Sequence, residues 1–182
     1  MKNKAVIIRR ETEVNEELTH VKLDGIWPSI SHLPFINNVK YLDCSNVNLK
    51  ELPELPVVRY LNCSKNMLKT LPELNCVEHL DCSENWIEKL KLFPFVEVLN
   101  CSQNKLKEIP NYEMIYDLNC SKNFLTKLIT KAKVINCAWN KINILECPNA
   151  IEVDCSWNQI EKLPQCEKLK CKNQEKKRRY SV

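Results

Sequence analysis

The sequence predicts a single solenoid of short stacked coils, with a curved parallel β-sheet on its hollow side and an extended, polyproline-like outer side carrying little helix. Three observations predict it. Eight of the eleven cysteines fall at 44, 63, 82, 101, 120, 137, 155 and 171, in steps of 19, 19, 19, 19, 17, 18 and 16. Self-similarity at a short fixed period is the signature of stacked repeats. Around each cysteine the same word recurs, an aliphatic residue, Asp or Asn, cysteine and then usually serine. Prolines at 53, 56, 72, 94, 110, 148 and 164 sit in what would be the return path, where each removes a backbone donor and opposes helix.

The elements follow in order. Residues 1–19 are expected to cap the front end, with a strand in Ala5-Val6-Ile7-Ile8 and a polar stretch from Arg9 to Glu17. A degenerate first turn carries Leu23, Ile30 and Leu33-Pro34. The regular coils then begin with Leu42-Asp43-Cys44-Ser45, Leu61-Asn62-Cys63-Ser64, Leu80-Asp81-Cys82-Ser83, Leu99-Asn100-Cys101-Ser102 and Leu118-Asn119-Cys120-Ser121, continued by Ile135-Asn136-Cys137-Ala138 and Val153-Asp154-Cys155-Ser156. Three residues before each leading aliphatic stands another apolar residue, and two more follow at seven and ten residues, as Leu68 and Leu71 follow Leu61. Alternation within the word turns the aliphatic and the cysteine inward and leaves residues such as Asn62 and Ser64 facing solvent. One coil cannot cover its own apolar face, so stability must come from stacking at about 4.8 Å, each buried Leu or Val contributing roughly 1.5–3 kcal/mol.

Five residues after the leading aliphatic comes asparagine, at Asn66, Asn85, Asn104, Asn123, Asn140 and Asn158. Its amide can donate to and accept from backbone groups left unpaired where the chain leaves the strand. Val47 breaks this column, so that turn is expected to be satisfied by Asn46 or Asn48. The single glycine, Gly25, leaves almost nothing from which to build tight φ > 0 turns or phosphate-cradling loops.

This pattern resembles the leucine-rich repeat family, whose consensus runs L-x-x-L-x-L-x-x-N-x-L-x-x-L, with cysteine here at the third consensus leucine. The resemblance covers residues 20–171. Leu-Pro-Glu-Leu at 52–55 and 71–74 is similar to the short-repeat effectors secreted by pathogenic bacteria. The cysteine column is similar to that of certain internalins and of repeat proteins of giant viruses. The resemblance implies a leucine-rich repeat solenoid that recognises a partner on its concave face, and a host-pathogen setting. The bacterial effectors carry a ligase domain after the repeats; the eleven residues 172–182 cannot hold one, so that activity is not carried over.

Site chemistry points the same way. The column Cys44, Cys63, Cys82, Cys101, Cys120, Cys137 and Cys155 reads as a reduced, buried ladder. Parallel neighbours place Cβ atoms about 4.8 Å apart against the roughly 3.8 Å of a disulfide, and a straight row cannot wrap a tetrahedral ion. Cys166 is expected in the core, Cys76 and Cys147 partly exposed. His20, His32 and His79 fall at different repeat positions, with His79 alone expected on the concave face. No paired carboxylates, metal-ligand cluster or Ser/His/Asp set emerges, so neither catalytic residues, metal nor cofactor are expected.

Partner contacts are expected at Tyr41, Tyr60 and His79 and along a polar row of Asp43, Asn62, Asp81, Asn100, Asn119, Asn136 and Asp154. Trp139 and Trp157, at one repeat position in successive coils, should stack at the strand exit, with Trp86 and Phe124 at another outward position; aromatics of this kind are enriched at interface hot spots. The function expected is a non-catalytic protein-interaction module. The alternatives are a self-associating structural protein and polyanion binding or nuclear targeting through the tail. Residues 168–182 hold seven basic residues and one acid, while the whole chain carries +4, so the body is near neutral and nucleic-acid binding rests on the tail alone, at Lys176-Lys177-Arg178-Arg179. Lys168, Lys170 and Lys172 would discourage edge-to-edge pairing of the last strand. No apolar run reaches the roughly 18 residues a membrane span needs, and reduced cysteines point to a reducing intracellular compartment, the cytoplasm or nucleus of a host cell. A monomer or weak dimer is expected.

Overall fold

The computed structural model describes residues 6–8, by their backbone, together with 19–25 and 36–174. The polar front stretch, Ile30, His32, Leu33-Pro34 and the basic run 176–179 lie outside the described residues. Twelve strands occur in this part: β1 (Val6–Ile8), β2 (His20–Leu23), β3 (Tyr41–Asp43), β4 (Tyr60–Asn62), β5 (His79–Asp81), β6 (Val98–Asn100), β7 (Asp117–Asn119), β8 (Lys127–Ile129), β9 (Val134–Asn136), β10 (Ile144–Glu146), β11 (Glu152–Asp154) and β12 (Lys168–Lys170). Ten of them form one parallel sheet in the order β1-β2-β3-β4-β5-β6-β7-β9-β11-β12, and β8 and β10 pair separately. No helix occurs among the described residues.

The register follows the repeat. Leu42, Leu61, Leu80, Leu99, Leu118, Ile135, Val153 and Leu169 stand side by side, each the centre of a three-residue strand. Ahead of Leu42 stands Val21, so Leu23 takes the cysteine position in the degenerate coil before the first regular one and is buried like a cysteine. Behind the sheet lie the leucines, valines and isoleucines of the other apolar positions, with the Phe93 and Tyr112 rings parallel 6.0 Å apart and the Tyr112 hydroxyl donating to the Lys91 carbonyl at 2.9 Å.

The second small sheet has a local cause. Eleven residues after the leading aliphatic the coils carry Pro53, Pro72, Lys91, Pro110, Ile129, Glu146 and Pro164. Proline cannot donate to a ladder. The Leu118 and Ile135 coils are the one adjacent pair without it, and there β8 and β10 pair and the Thr130 N–H donates to Glu146 at 3.0 Å. Lys91 stands between two proline-bearing coils and remains without a ladder, so the outer side is extended elsewhere.

The tight turns differ from the expectation drawn from the lone glycine. Where the chain leaves the long-sheet strands from β2 onward, φ is positive at Gly25 and at Asn46, Lys65, Glu84, Gln103, Lys122, Trp139, Trp157 and Asn173, one residue at each exit. A non-glycine residue there costs roughly 1–2 kcal/mol, and the following asparagine offsets it. Asn85 donates from Nδ2 to the carbonyls of Cys63, Cys82 and Ser83 at 3.0–3.1 Å and accepts from the Leu68 N–H at 2.9 Å. It thus fastens its own turn and the preceding coil together, and Asn66, Asn104, Asn123, Asn140 and Asn158 repeat the arrangement.

The gap at Val47 is closed from the next coil: Asn66 Oδ1 accepts from the N–H groups of Val47 and Leu49, while Asn46 and Asn48 both adopt positive φ. At the far end Gln174 takes the asparagine's place, accepting from the Ile160 N–H at 3.1 Å and donating to the Cys155 carbonyl at 2.8 Å. The bonding of the last coil therefore runs past Cys171.

Candidate recognition surface

The seven column cysteines from Cys44 to Cys155 are fully buried, and all eleven thiols are free. Burial pushes each column thiol up, Cys120 and Cys155 to about 12, because a thiolate would lose its hydration there. Such thiols are poor nucleophiles at neutral pH. Cys147 is buried against the core rather than partly exposed, with its thiol pushed up to about 11 by burial and by Cys166. Cys166, with no further coil beyond it among the described residues, is only half-buried, and Cys76 is half-buried as well.

On the concave face, the residue before the leading aliphatic points outward, and in β2 to β5 it is aromatic. His20, Tyr41, Tyr60 and His79 stack face to face, with ring centroids 4.0, 4.5 and 4.5 Å apart and planes within 19°. Spacing of strands sets this distance: rings projecting in parallel from adjacent strands have room only to stack. The faces are thereby spent on one another, and the phenol and imidazole edges are turned to a groove of about 510 Å³. His20 belongs to this ladder, so His79 is not alone on the concave face; its coil stands 21 residues ahead of the Leu42 coil, which hid it from a 19-residue register.

Beside the ring ladder runs the polar row. Its first four members, Asp43, Asn62, Asp81 and Asn100, line the groove, whereas Asn119, Asn136 and Asp154 continue along the sheet beyond it. These side chains are also structural. Asp81 Oδ1 accepts from the Ser83 N–H at 2.9 Å and the Ser83 hydroxyl at 2.6 Å, and Asp43, Asn62, Asn100 and Asn119 do the same for the serine two residues on. Asn136 and Asp154 accept the backbone N–H of Ala138 and Ser156. Ser64, Ser83, Ser102, Ser121 and Ser156 are consequently buried and Ser45 half-buried, against the alternation that would put them in solvent.

One oxygen of each carboxylate remains for other contacts. Asp43 pairs with Lys22 at 3.1 Å, Asp81 accepts from Asn100 at 3.1 Å and Asp154 pairs with Lys170 at 2.6 Å. Burial pulls the Asp43 carboxyl upward, but hydrogen bonds from Ser45 and Lys22 outweigh it and hold the group below its usual range. Asp117, further along the sheet, moves the other way through burial and the nearby Glu152.

Trp139 and Trp157 stack at 4.3 Å on the strand-exit line, 51% and 40% exposed, and are not among the residues lining the groove. Both occupy the positive-φ position. Trp86 and Phe124 stand on a neighbouring outward column with Lys105 and Lys141 over their rings at 5.9 and 5.7 Å. One further column escaped the sequence reading. Four residues before the leading aliphatics stand Val57, Cys76, Phe95 and Met114, an outward apolar line on the edge where the chain runs into the sheet. Its signal was present at 19-residue spacing in segments read only as return path.

Among the described residues no group of three or more His, Cys, Asp or Glu could hold a metal ion, and no helix is long and apolar enough to cross a membrane. No protein-family model and no curated protein matches the sequence. Among solved structures the chain is similar to YopM from Yersinia enterocolitica WA-314, with 28% identity and a TM-score of 0.77. The match covers 88% of this chain and 38% of YopM, so the chain spans well under half of that protein's length. Strand register and this likeness together show a parallel β-solenoid with the leucine-rich-repeat fold of YopM, without helix among the described residues.

Proposed function

We propose that the chain is a non-catalytic recognition module that seats a protein partner in the concave groove. The ring ladder from His20 to His79 carries this reading. Four aromatic edges beside the polar row give a surface that combines apolar area with fixed hydrogen-bonding groups, the composition of binding hot spots. The stacked Trp139 and Trp157 form a second contact on the strand-exit line, where two indoles remain in water at backbone positions that disfavour bulky residues. Chemistry is not the function: the column thiols are held protonated, and the groove's carboxylates spend one oxygen on their own turn and the other on a neighbouring side chain. Eleven free thiols favour a reducing compartment.

The test is affinity capture from cell extract with the full chain, its Tyr60→Ala variant and its Trp139→Ala/Trp157→Ala variant. Loss of a captured protein with Tyr60→Ala, by about tenfold or more, is the expected result for a hot-spot ring. Retention of every partner by the Tyr60→Ala chain would remove the groove from consideration, and retention by the double tryptophan variant would remove the exit edge.

A further inference from the structure

The edge on which the chain runs into the sheet carries a second surface, independent of the groove. Phe95 and Met114 are 57% and 55% exposed, Val57 is 37% exposed and Cys76 half-buried. They lie on successive coils and are bounded by polar residues, Asn38 before and Lys131 after. A contiguous apolar line rimmed by polar groups is what a docking surface presents, whereas scattered apolar residues need no explanation. Cys76, Phe95 and Met114 share a trough of about 260 Å³ with Arg59, Glu78 and Glu97.

Three features define the occupant. First, the backbone two residues beyond the apolar line is bonded from coil to coil: the N–H of Glu78 donates to the Arg59 carbonyl, that of Glu97 to Glu78 and that of Tyr116 to Glu97, all at 2.8–2.9 Å. A partner strand therefore finds those N–H groups already taken, and the exposed apolar side chains are what the edge presents. Second, the apolar side chains repeat along the solenoid axis at the coil spacing, about 4.8 Å, close to the 5.4 Å rise of one helical turn. Over four coils the two repeats stay nearly in step, so a helix laid along the axis can meet Val57, Cys76, Phe95 and Met114 with residues on one face. Third, the rim carries one carboxylate without a cationic partner. Arg59 pairs with Glu78 at 3.0 Å, and Tyr116 is occupied by Lys133 at 5.5 Å, while the exposed Glu97 between them makes no ion pair among the described residues.

We propose that this edge docks an amphipathic helix of a partner protein, its apolar ridge along the Val57-to-Met114 line and a basic side chain beside the ridge on Glu97. Helix-in-groove docking reads its partner through anchors at i, i+3 or i+4, and i+7, and the coil repeat supplies the matching pockets.

The probe is a fluorescent synthetic helix of about 18 residues with leucines at i, i+4, i+7 and i+11 and lysines flanking that ridge, its helicity checked by circular dichroism. Anisotropy with the full chain should show saturable binding. Phe95→Ser and Glu97→Lys should each weaken it by about tenfold or more, as should replacing the peptide's lysines by glutamates, while Tyr60→Ala should leave it unchanged. All these positions are exposed or half-exposed, and Met114→Ser replaces Phe95→Ser should the latter misfold. No saturation with a helical probe, equal binding of the lysine and glutamate peptides, or loss with Tyr60→Ala alone would each overturn the proposal. Concentration-dependent dimerisation of the chain that Phe95→Ser abolishes would also overturn it, by assigning the edge to a second copy.

Discussion

The middle of the stack and its C-terminal end use the same words with different outcomes. In the Leu80 and Leu99 coils the leading leucines, the cysteines and the valines before them are all shut from solvent, and each asparagine makes four hydrogen bonds. At the end Leu163 and Leu169 are 41% and 38% exposed, every residue of β12 is exposed, and Gln174 makes two bonds where an asparagine makes four. Nothing in Leu169 itself is less apolar than Leu99. A leucine in this architecture is buried by the coil that follows it, so burial is a property of the stack and stability accrues through neighbouring pairs.

The largest expected effect is on that comparison's interior. The seven column thiols are held protonated in the folded chain, their ordinary value being 9.0 and that of Cys120 and Cys155 here about 12. An unfolded chain would ionise them near pH 9, so it binds fewer protons than the folded one. Stability is therefore intact below pH 9 and falls as pH rises above it. Each thiol contributes about 1.4 kcal/mol per pH unit. Seven together would exhaust an ordinary domain stability of roughly 5–15 kcal/mol within about one to two units. Urea melts followed by circular dichroism from pH 7 to 11 should show this collapse, and Cys82→Ala/Cys101→Ala should make it shallower by two thiols' share. A slope unaltered in the double variant would refute the account.

A pair of amide deletions sharpens the contrast between centre and end. Asn85→Ala leaves the buried Leu68 N–H without an acceptor and takes one of two donors from three carbonyls, and should cost about 3 kcal/mol, whereas Gln174→Ala should cost under about 1 kcal/mol. Equal losses in denaturant melts would mean that the asparagines act within their own coil and not between coils.

The smallest effect has the opposite sign. Glu84 holds a φ of 53°, and Glu84→Gly should gain up to about 1 kcal/mol by relieving the left-handed backbone, less the entropy glycine returns to the unfolded chain. A loss greater than that of a surface substitution would show that the turn needs its side chain.

These contrasts also explain what could be read from the residues alone. Sheet, register and spine were legible because a side chain pointing inward has one tolerated chemistry, repeated at a fixed step from Leu42 to Val153. Tyr41, Tyr60 and His79 were legible as outward neighbours of that spine. His20 was not, since the insertion ahead of Leu42 breaks the period although the strand pairing does not. The serines were misplaced because alternation describes a strand, and the strand ends at Asn62: Ser64 belongs to the turn, where its hydroxyl is drawn in by the side chain two residues back. The fully extended outer side missed β8 and β10, which depend on two adjacent coils both lacking proline, a relation between coils that no single coil displays.

The strand-exit turn has a wider consequence. Its shape is imposed by a neighbouring amide and not by the absence of a side chain at the turn itself, so the same backbone bend carries asparagine, lysine, glutamate, glutamine or tryptophan along the molecule. Each winding of the chain thus offers one interchangeable mounting point, and a new surface chemistry can be installed there by a single codon without redrawing the scaffold.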